Sequence, residues 1–548
     1  MLETVKTFTA LSEEFVEESL RLWPVRATEV GIHDYDRLLP DDTPDGFRAR
    51  AAWLRDLDQR LAASVPWEEL PVEHRVDYAL LRSRITVMRA DLEEIRTHAR
   101  DPVTPVQTAL DGVFLLAERP FAPLEERKEA IIARLMAIPD YLEAACAGLE
   151  QVPEVWAGLA AEVAATGPGF VGDVVRMLLQ AFPGEAERVE HAGLRARSGL
   201  AAYQERLERD LAPRAGGSFA LGARWFDFRL EREHMLPIGC DALEAMGREH
   251  VSVTRRLLEA EAARLDPARS WREQVEESRR RHPEARHLRE AYVAEVERAR
   301  RFVLERGLAP VPEVRLEIAD TPPFERAVLP YAAYLPPAPF DVEPVGTFFV
   351  TPVDSGRRPE LQKEQLRDHN FAKLSLVTVH EAWPGHHLQL SHAIHCGSRL
   401  RRLAQSSLLS EGWALYVESL MADEGFYRDA TARLWVLKGL LWRACRVVVD
   451  VGLHTGRMSF AQAVDYLVEE AMLERSSAIA EVKRHTLTPT QPMSYLVGKL
   501  QILQLREEAK HRLGARFNPL DFHAALLASG TLPIALVTEE IWARLGVD

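Results

Sequence analysis

Leu11, Phe15, Val16, Leu20 and Trp23 recur at intervals of three and four, which puts them on one face of a helix that Pro24 ends. The same spacing predicts helices over about 45–64, 72–98, 124–151, 154–182 and 185–211. It returns over about 360–367, 372–395, 403–423, 427–453, 459–473, 475–485, 492–512, 519–528 and 535–545. Such stripes are buried by packing helix on helix, so the expected fold is mainly α, a large helical body with a cleft. Between about 309 and 359 the texture changes to E-V-R-L-E-I, A-V-L-P-Y-A-A-Y-L and G-T-F-F-V-T-P-V, separated by Pro-rich turns. That predicts a small β-sheet near residues 310–355. The expected organisation is a helical amino-terminal half, 1–305, and a second half, 306–548, holding the sheet, within one continuous unit.

At 548 residues with 47% hydrophobic residues, the chain can bury a large core. A formal charge of -15 leaves no basic footprint for nucleic acid. The charged stretch 266–300 interleaves glutamates with its arginines and reads as solvated helix faces. No run of eighteen apolar residues marks a membrane span, and Glu3, Glu13 and Glu14 interrupt the start where a secretory leader would be apolar. The expectation is a cytoplasmic protein without a membrane partner. Cys146, Cys240, Cys396 and Cys445 lie far apart without a C-x-x-C pair, as core residues would.

Chemistry concentrates in T-V-H-E-A-W-P-G-H-H-L-Q-L, Thr378–Leu390. It opens like the zinc motif H-E-x-x-H, whose histidines stand four apart on one helix face. Position 384 is instead Pro384, followed by Gly385, His386 and His387. On a regular helix His386 would stand about 120° around the axis from His380, and His387 roughly 10.5 Å along it. Neither suits zinc–nitrogen bonds of about 2.0–2.1 Å. Pro384 lacks the N–H that would bond the His380 carbonyl, and Gly385 lets the chain relax, so a bulged turn could bring a later histidine to the metal. His386 is favoured, because Gly-His repeats the ending of the usual motif; His387 is the alternative, otherwise facing substrate. A third ligand is expected from a carboxylate on a neighbouring helix, with water completing the set. S-E-G-W-A-L-Y-V-E supplies Glu411, an acid in an apolar stretch, and Glu418 on the same face.

H-E-A-W-P-G-H-H-L-Q, S-E-G-W-A-L-Y-V-E, V-D-V-G-L-H and P-T-Q-P-M-S-Y-L-V-G-K, with the amino-terminal P-V-R-A-T-E-V-G-I-H-D-Y-D, together resemble the bacterial family called domain of unknown function 885 (DUF885). The resemblance implies a zinc-dependent peptidase related to the gluzincins, and it spans nearly the whole chain.

With one zinc ion on His380, His386 and Glu411, Glu381 is placed as general base and Glu418 as the group that orients a ligand. Tyr495 opens a helix with Gly498 for close approach, and its segment resembles the carboxyl-terminal tyrosine segments of helical metallopeptidases; it is the candidate oxyanion donor. Lys499 and Arg506, one and three turns on, are candidates for a substrate carboxylate, and His454 for a cleft wall. Arg446 and Asp450, four apart, are expected to form a helix ion pair. The expected activity is hydrolysis of short peptides, as a carboxypeptidase, dipeptidase or oligopeptidase. Hydrolysis of a non-peptide amide or ester, or silent peptide binding by the same fold, are the alternatives. Oligomeric state is not legible.

Overall fold

Thr43 accepts the Gly46 N–H at 3.0 Å and Pro44 follows it, so a capped helix begins there and runs Pro44–Ser64. It lies in the first of two compact units, Met1–Leu221 with Ala338–Glu343. The computed structural model describes residues 2–322, 326 and 331–547. This unit continues through helices Val72–Ala90, Val103–Glu118, Leu124–Cys146, Glu154–Ala181 and Ala186–Arg206. Close packing is set locally: a Cβ on Gly199 would stand 2.7 Å from Pro139 Cα, so these two helices cross where one has no side chain. The returning stretch is tied in by the Phe340 N–H, which donates to Val30 O at 3.0 Å.

The second unit is Gly222–Pro337 with Pro344–Asp548. The division therefore falls at Leu221–Gly222, whereas position 305 marks the approach to the sheet. Helix Cys240–Leu265 packs along helix Ala432–His454, with Gly247 set against Val447 and Val448, which holds the earlier helices to the later ones. Helix Ser407–Asp423 packs in the same manner along Ser494–Leu513.

The expected small sheet is present as β1 (Arg315–Asp320), β2 (Ala332–Leu335) and β3 (Val345–Val350), in the order β1-β3-β2. β1 runs parallel to β3 with Arg315 opposite Val345, and β2 antiparallel with Ala332 opposite Val350. Phe348, Phe349 and Val350 of the middle strand are buried. Of the predicted piece 327–335, residues 327–330 lie outside the described residues.

Two local expectations are corrected. The pattern over 372–395 is not one helix: it breaks into Phe371–Glu381 and His386–Ala393. The stretch 266–300 is not solvated throughout. Ser270 and Glu273 form a capping box, Trp271 and Val275 are buried, and Arg279 turns inward to pair with Asp368 at 3.2 Å. The four cysteines are free and buried, as expected. Among the described residues no helix is long and apolar enough to cross a membrane.

Candidate metal centre

Helix Phe371–Glu381 starts at Asn370, whose side chain accepts the Lys373 N–H at 3.0 Å, and carries His380 in its last turn. Its last backbone bond runs from Ala382 N–H to Thr378 O at 2.9 Å; Trp383–Pro384 follows as a cis peptide, and a new helix starts at His386. Gly385 makes the reversal possible. A Cβ there would stand 1.9 Å from His380 O and 2.3 Å from Val379 O, so the backbone doubles over the preceding turn as only glycine can. Trp413, fully buried on the neighbouring helix Ser407–Asp423, donates its indole N–H to Pro384 O at 2.7 Å and fixes the break.

The break resolves which histidine turns inward. His386 meets His380 edge to face, ring centroids 4.8 Å apart, and its Nε2 lies 3.3 Å from Glu411 Oε2. His380 Nε2 lies 3.8 Å from the same oxygen, and one donor atom from each of the three residues falls within 4.8 Å of the others. Zinc bonds of about 2.0–2.1 Å at tetrahedral angles separate donor atoms by roughly 3.4 Å, so two imidazoles and a carboxylate at these spacings suit that ion. His387 goes elsewhere. Its Nε2–H donates to Val314 O at 3.1 Å, its Nδ1 accepts from the Tyr334 hydroxyl at 2.9 Å, and burial pushes its pKa down to about 4. It is a neutral peg between the break and the sheet.

The electrostatics favour a cation. Burial opposes a charged His380, but the hydrogen bonds it donates to Glu411 and Glu418, and the nearby Glu381 charge, raise it to about 9. Burial would likewise raise the Glu411 carboxyl, yet His386 and His380 hold it well below its usual value. Glu418, almost wholly buried, accepts His380 Nδ1–H at 2.7 Å and leaves Nε2 as the lone-pair donor.

Tyr495 comes to this cluster through a close helix crossing. A Cβ on Gly412 would stand 2.5 Å from Gly498 C, and one on Gly498 would stand 1.8 Å from Leu408 O, so the helices carrying Glu411 and Tyr495 touch backbone to backbone. The Tyr495 ring lies nearly parallel to His380 at 6.4 Å, with the Arg446 guanidinium 4.7 Å over its face. Burial, then the Glu411 charge, raises its hydroxyl pKa and keeps it a donor. Asp450 fixes the preceding turn by accepting the Thr490 and Met493 N–H groups, both at 3.2 Å. The expected Arg446–Asp450 pair is not made: Arg446 turns to Glu481 at 2.8 Å.

His380, Glu381, Glu418 and Tyr495 line a cavity of about 600 Å³ within the second unit. Lys499, Arg506 and His454 do not line it. Lys499 Nζ donates to Ser419 Oγ at 2.5 Å, Arg506 lies over Tyr416, and the buried His454 donates to His485 O at 2.9 Å. The cavity's cations are instead Arg279, Lys373, Lys438, Arg443, Arg446 and Arg484. The sequence did carry a signal for part of this set: Trp435, Lys438, Gly439, Trp442 and Arg446 recur on one helical face.

A solved structure from Shewanella oneidensis, described as a "putative lipoprotein of unknown function", matches with a TM-score of 0.80 and 22% identity over 97% of this chain and 99% of that one. A "putative lipoprotein" from Colwellia psychrerythraea matches with a TM-score of 0.84 and 20% identity over the full length of both chains. These likenesses show a shared fold, and they lend no support to a cytoplasmic location. No curated protein matches the sequence. The family pattern described as "bacterial protein of unknown function (DUF885)" matches residues 24–541, and the chain belongs to that family.

Proposed function

We propose that the protein is a zinc-dependent hydrolase that cleaves short peptides in the cavity beside His380. The observation that carries this is the convergence of His380, His386 and Glu411 donor atoms within 4.8 Å, with Glu381 next to them on the cavity wall. His380, His386 and Glu411 would hold one zinc ion. When bound, that ion supplies Lewis acidity, polarising the scissile carbonyl and easing ionisation of the attacking water. Glu381 takes the proton from the water and passes it to the leaving amine. Tyr495 donates its O–H to the oxyanion as charge develops, and Glu418 keeps His380 in the tautomer that points Nε2 at the metal. A cavity of about 600 Å³ suits a few peptide residues rather than a folded protein.

Metal analysis of the purified protein is expected to give one zinc per chain, and chelation to abolish cleavage of a defined peptide mixture until zinc is restored. Cleavage unchanged by chelation would remove zinc from the mechanism. Among variants, Glu418→Gln is expected to weaken zinc binding about 10–100-fold. His386→Ala weakens it further, and His387→Ala leaves it unchanged. A loss in His387→Ala as large as in His386→Ala would reassign the ligand.

A further inference from the structure

Five of the cavity's six cations have partners. Arg279 and Lys373 share Asp368 at 3.2 and 3.3 Å, Arg446 holds Glu481, Arg484 reaches Gln491 at 2.8 Å, and Arg443 approaches Glu418 at 3.9 Å. Lys438 is different. Among the described residues no carboxylate pairs with its ammonium, which lies 5.7 Å from the Trp435 ring centroid. One turn along the same helix face, the buried Trp442 indole N–H has no acceptor among the described residues. Lys438 and Trp442 both line the cavity, and among the described residues neither donor is met.

The surrounding charge has the same sense. Burial first, then the positive charge of Lys373, opposed by Asp368 but reinforced by Arg279 and Arg443, pushes the Lys438 ammonium down to about 7. A carboxylate placed beside Lys438 would favour its charged ammonium over the neutral amine. It is also near the metal centre in chain terms. Gly439, the next residue, sits where a Cβ would be 3.5 Å from Glu418 Oε2, the carboxylate whose other oxygen holds His380.

We propose that Lys438, assisted by the Trp442 N–H, binds a carboxylate of the peptide substrate. This rests on the peptidase reading above and adds to it a requirement for negative charge on the peptide. A lysine suits this role because its ammonium is a compact charge with three donors, and Trp435 beside it offers an apolar wall to the peptide's side chain.

The test measures binding, apart from turnover, by tryptophan fluorescence in zinc-depleted full-length protein. The probes are N-acetyl-trialanine with a free carboxyl terminus, its carboxyl-terminal amide, and an amide peptide ending in Glu or Gln. The free acid is expected to bind at least about tenfold more tightly than the amide, and Lys438→Met to remove that difference. Lys438→Arg restores most of it, and Trp442→Phe weakens acid binding several-fold. Preference for the Glu over the Gln amide would assign the carboxylate to a side chain, and preference for the free acid alone to the chain terminus; either supports the site. Equal binding of acid and amide by the wild type, or full preference retained in Lys438→Met with an unchanged melting temperature, would overturn it. Failure of the zinc reading registers separately, as turnover insensitive to chelation.

Discussion

Glu381→Gln is expected to lower peptide turnover by about 10³-fold while zinc content and melting temperature stay at wild-type values. The substitution keeps the shape of the side chain and removes its basicity. Glu381 ends the helix that carries His380 and lines the cavity, yet it supplies none of the three clustered donor atoms. Loss of turnover with metal retained therefore separates proton transfer from metal binding, which replacing His386 or Glu411 cannot do. It also separates an enzyme from a silent peptide-binding protein, since a binding protein has no need of a base at 381. Turnover within a few-fold of wild type would move the base elsewhere, and the carboxylates left on the cavity wall, Asp368, Glu418, Glu474 and Glu481, would be the next to replace.

How far the sequence discloses the site depends on whether chemistry or backbone geometry decides each part. His380, Glu411 and Glu418 are legible because ionisable residues in apolar helices need partners, and the seven-residue spacing from Glu411 to Glu418 puts both on one face. The choice of His386 over His387 is left open in the sequence because it turns on the conformation of Gly385. At φ -77° and ψ -131°, with the chain pressed onto the His380 carbonyl, Gly385 starts a separate helix instead of bulging the first one. Lys499 misleads for a similar reason. It follows Tyr495 by one turn, but it stands at the helix crossing, where its backbone N would be 2.8 Å from a Cβ on Gly412, and its side chain runs to Ser419. Lys438 hides as one polar residue in L-W-V-L-K-G-L-L-W, where periodicity shows a buried helix but not a cavity beside it.

The fold shows the same division. Pro44–Ser64, Glu154–Ala181 and Ser494–Leu513 fall within a few residues of their predicted bounds because they carry ordinary amphipathic stripes or clear stops. Val103–Glu118 escapes that reading, being apolar on most sides with a buried set from Val103 to Ala117. Cys240–Leu265 escapes it for the opposite reason. Its buried stripe breaks the run of Leu243, Val251 and Leu258 with Cys240, Gly247, Thr254 and Glu261, which thins the apolar signal, while Gly247 is where Val447 comes close.

Gly498→Ala is expected to cost about 3 kcal/mol of stability, and with it zinc affinity and turnover fall together. The added methyl would stand 1.8 Å from Leu408 O and 2.9 Å from Gly412 Cα, both backbone atoms, so no side-chain rotation relieves the clash and the helices must separate. Glu411 is adjacent to Gly412, and Tyr495 lies one turn before Gly498, so separation there moves the Glu411 carboxylate away from His380 and His386 and shifts Tyr495 on the cavity wall. Gly158→Ala is the informative control. It lies within the exposed face of helix Glu154–Ala181, where a Cβ meets nothing within 4 Å, and is expected to raise stability by roughly 0.5–1 kcal/mol. Thermal unfolding of the two variants, with zinc titration of Gly498→Ala at a temperature where it remains folded, distinguishes a site disrupted by displaced helices from one lost by unfolding. Wild-type zinc affinity in a folded Gly498→Ala protein would mean that the Glu411 helix keeps its place without this crossing.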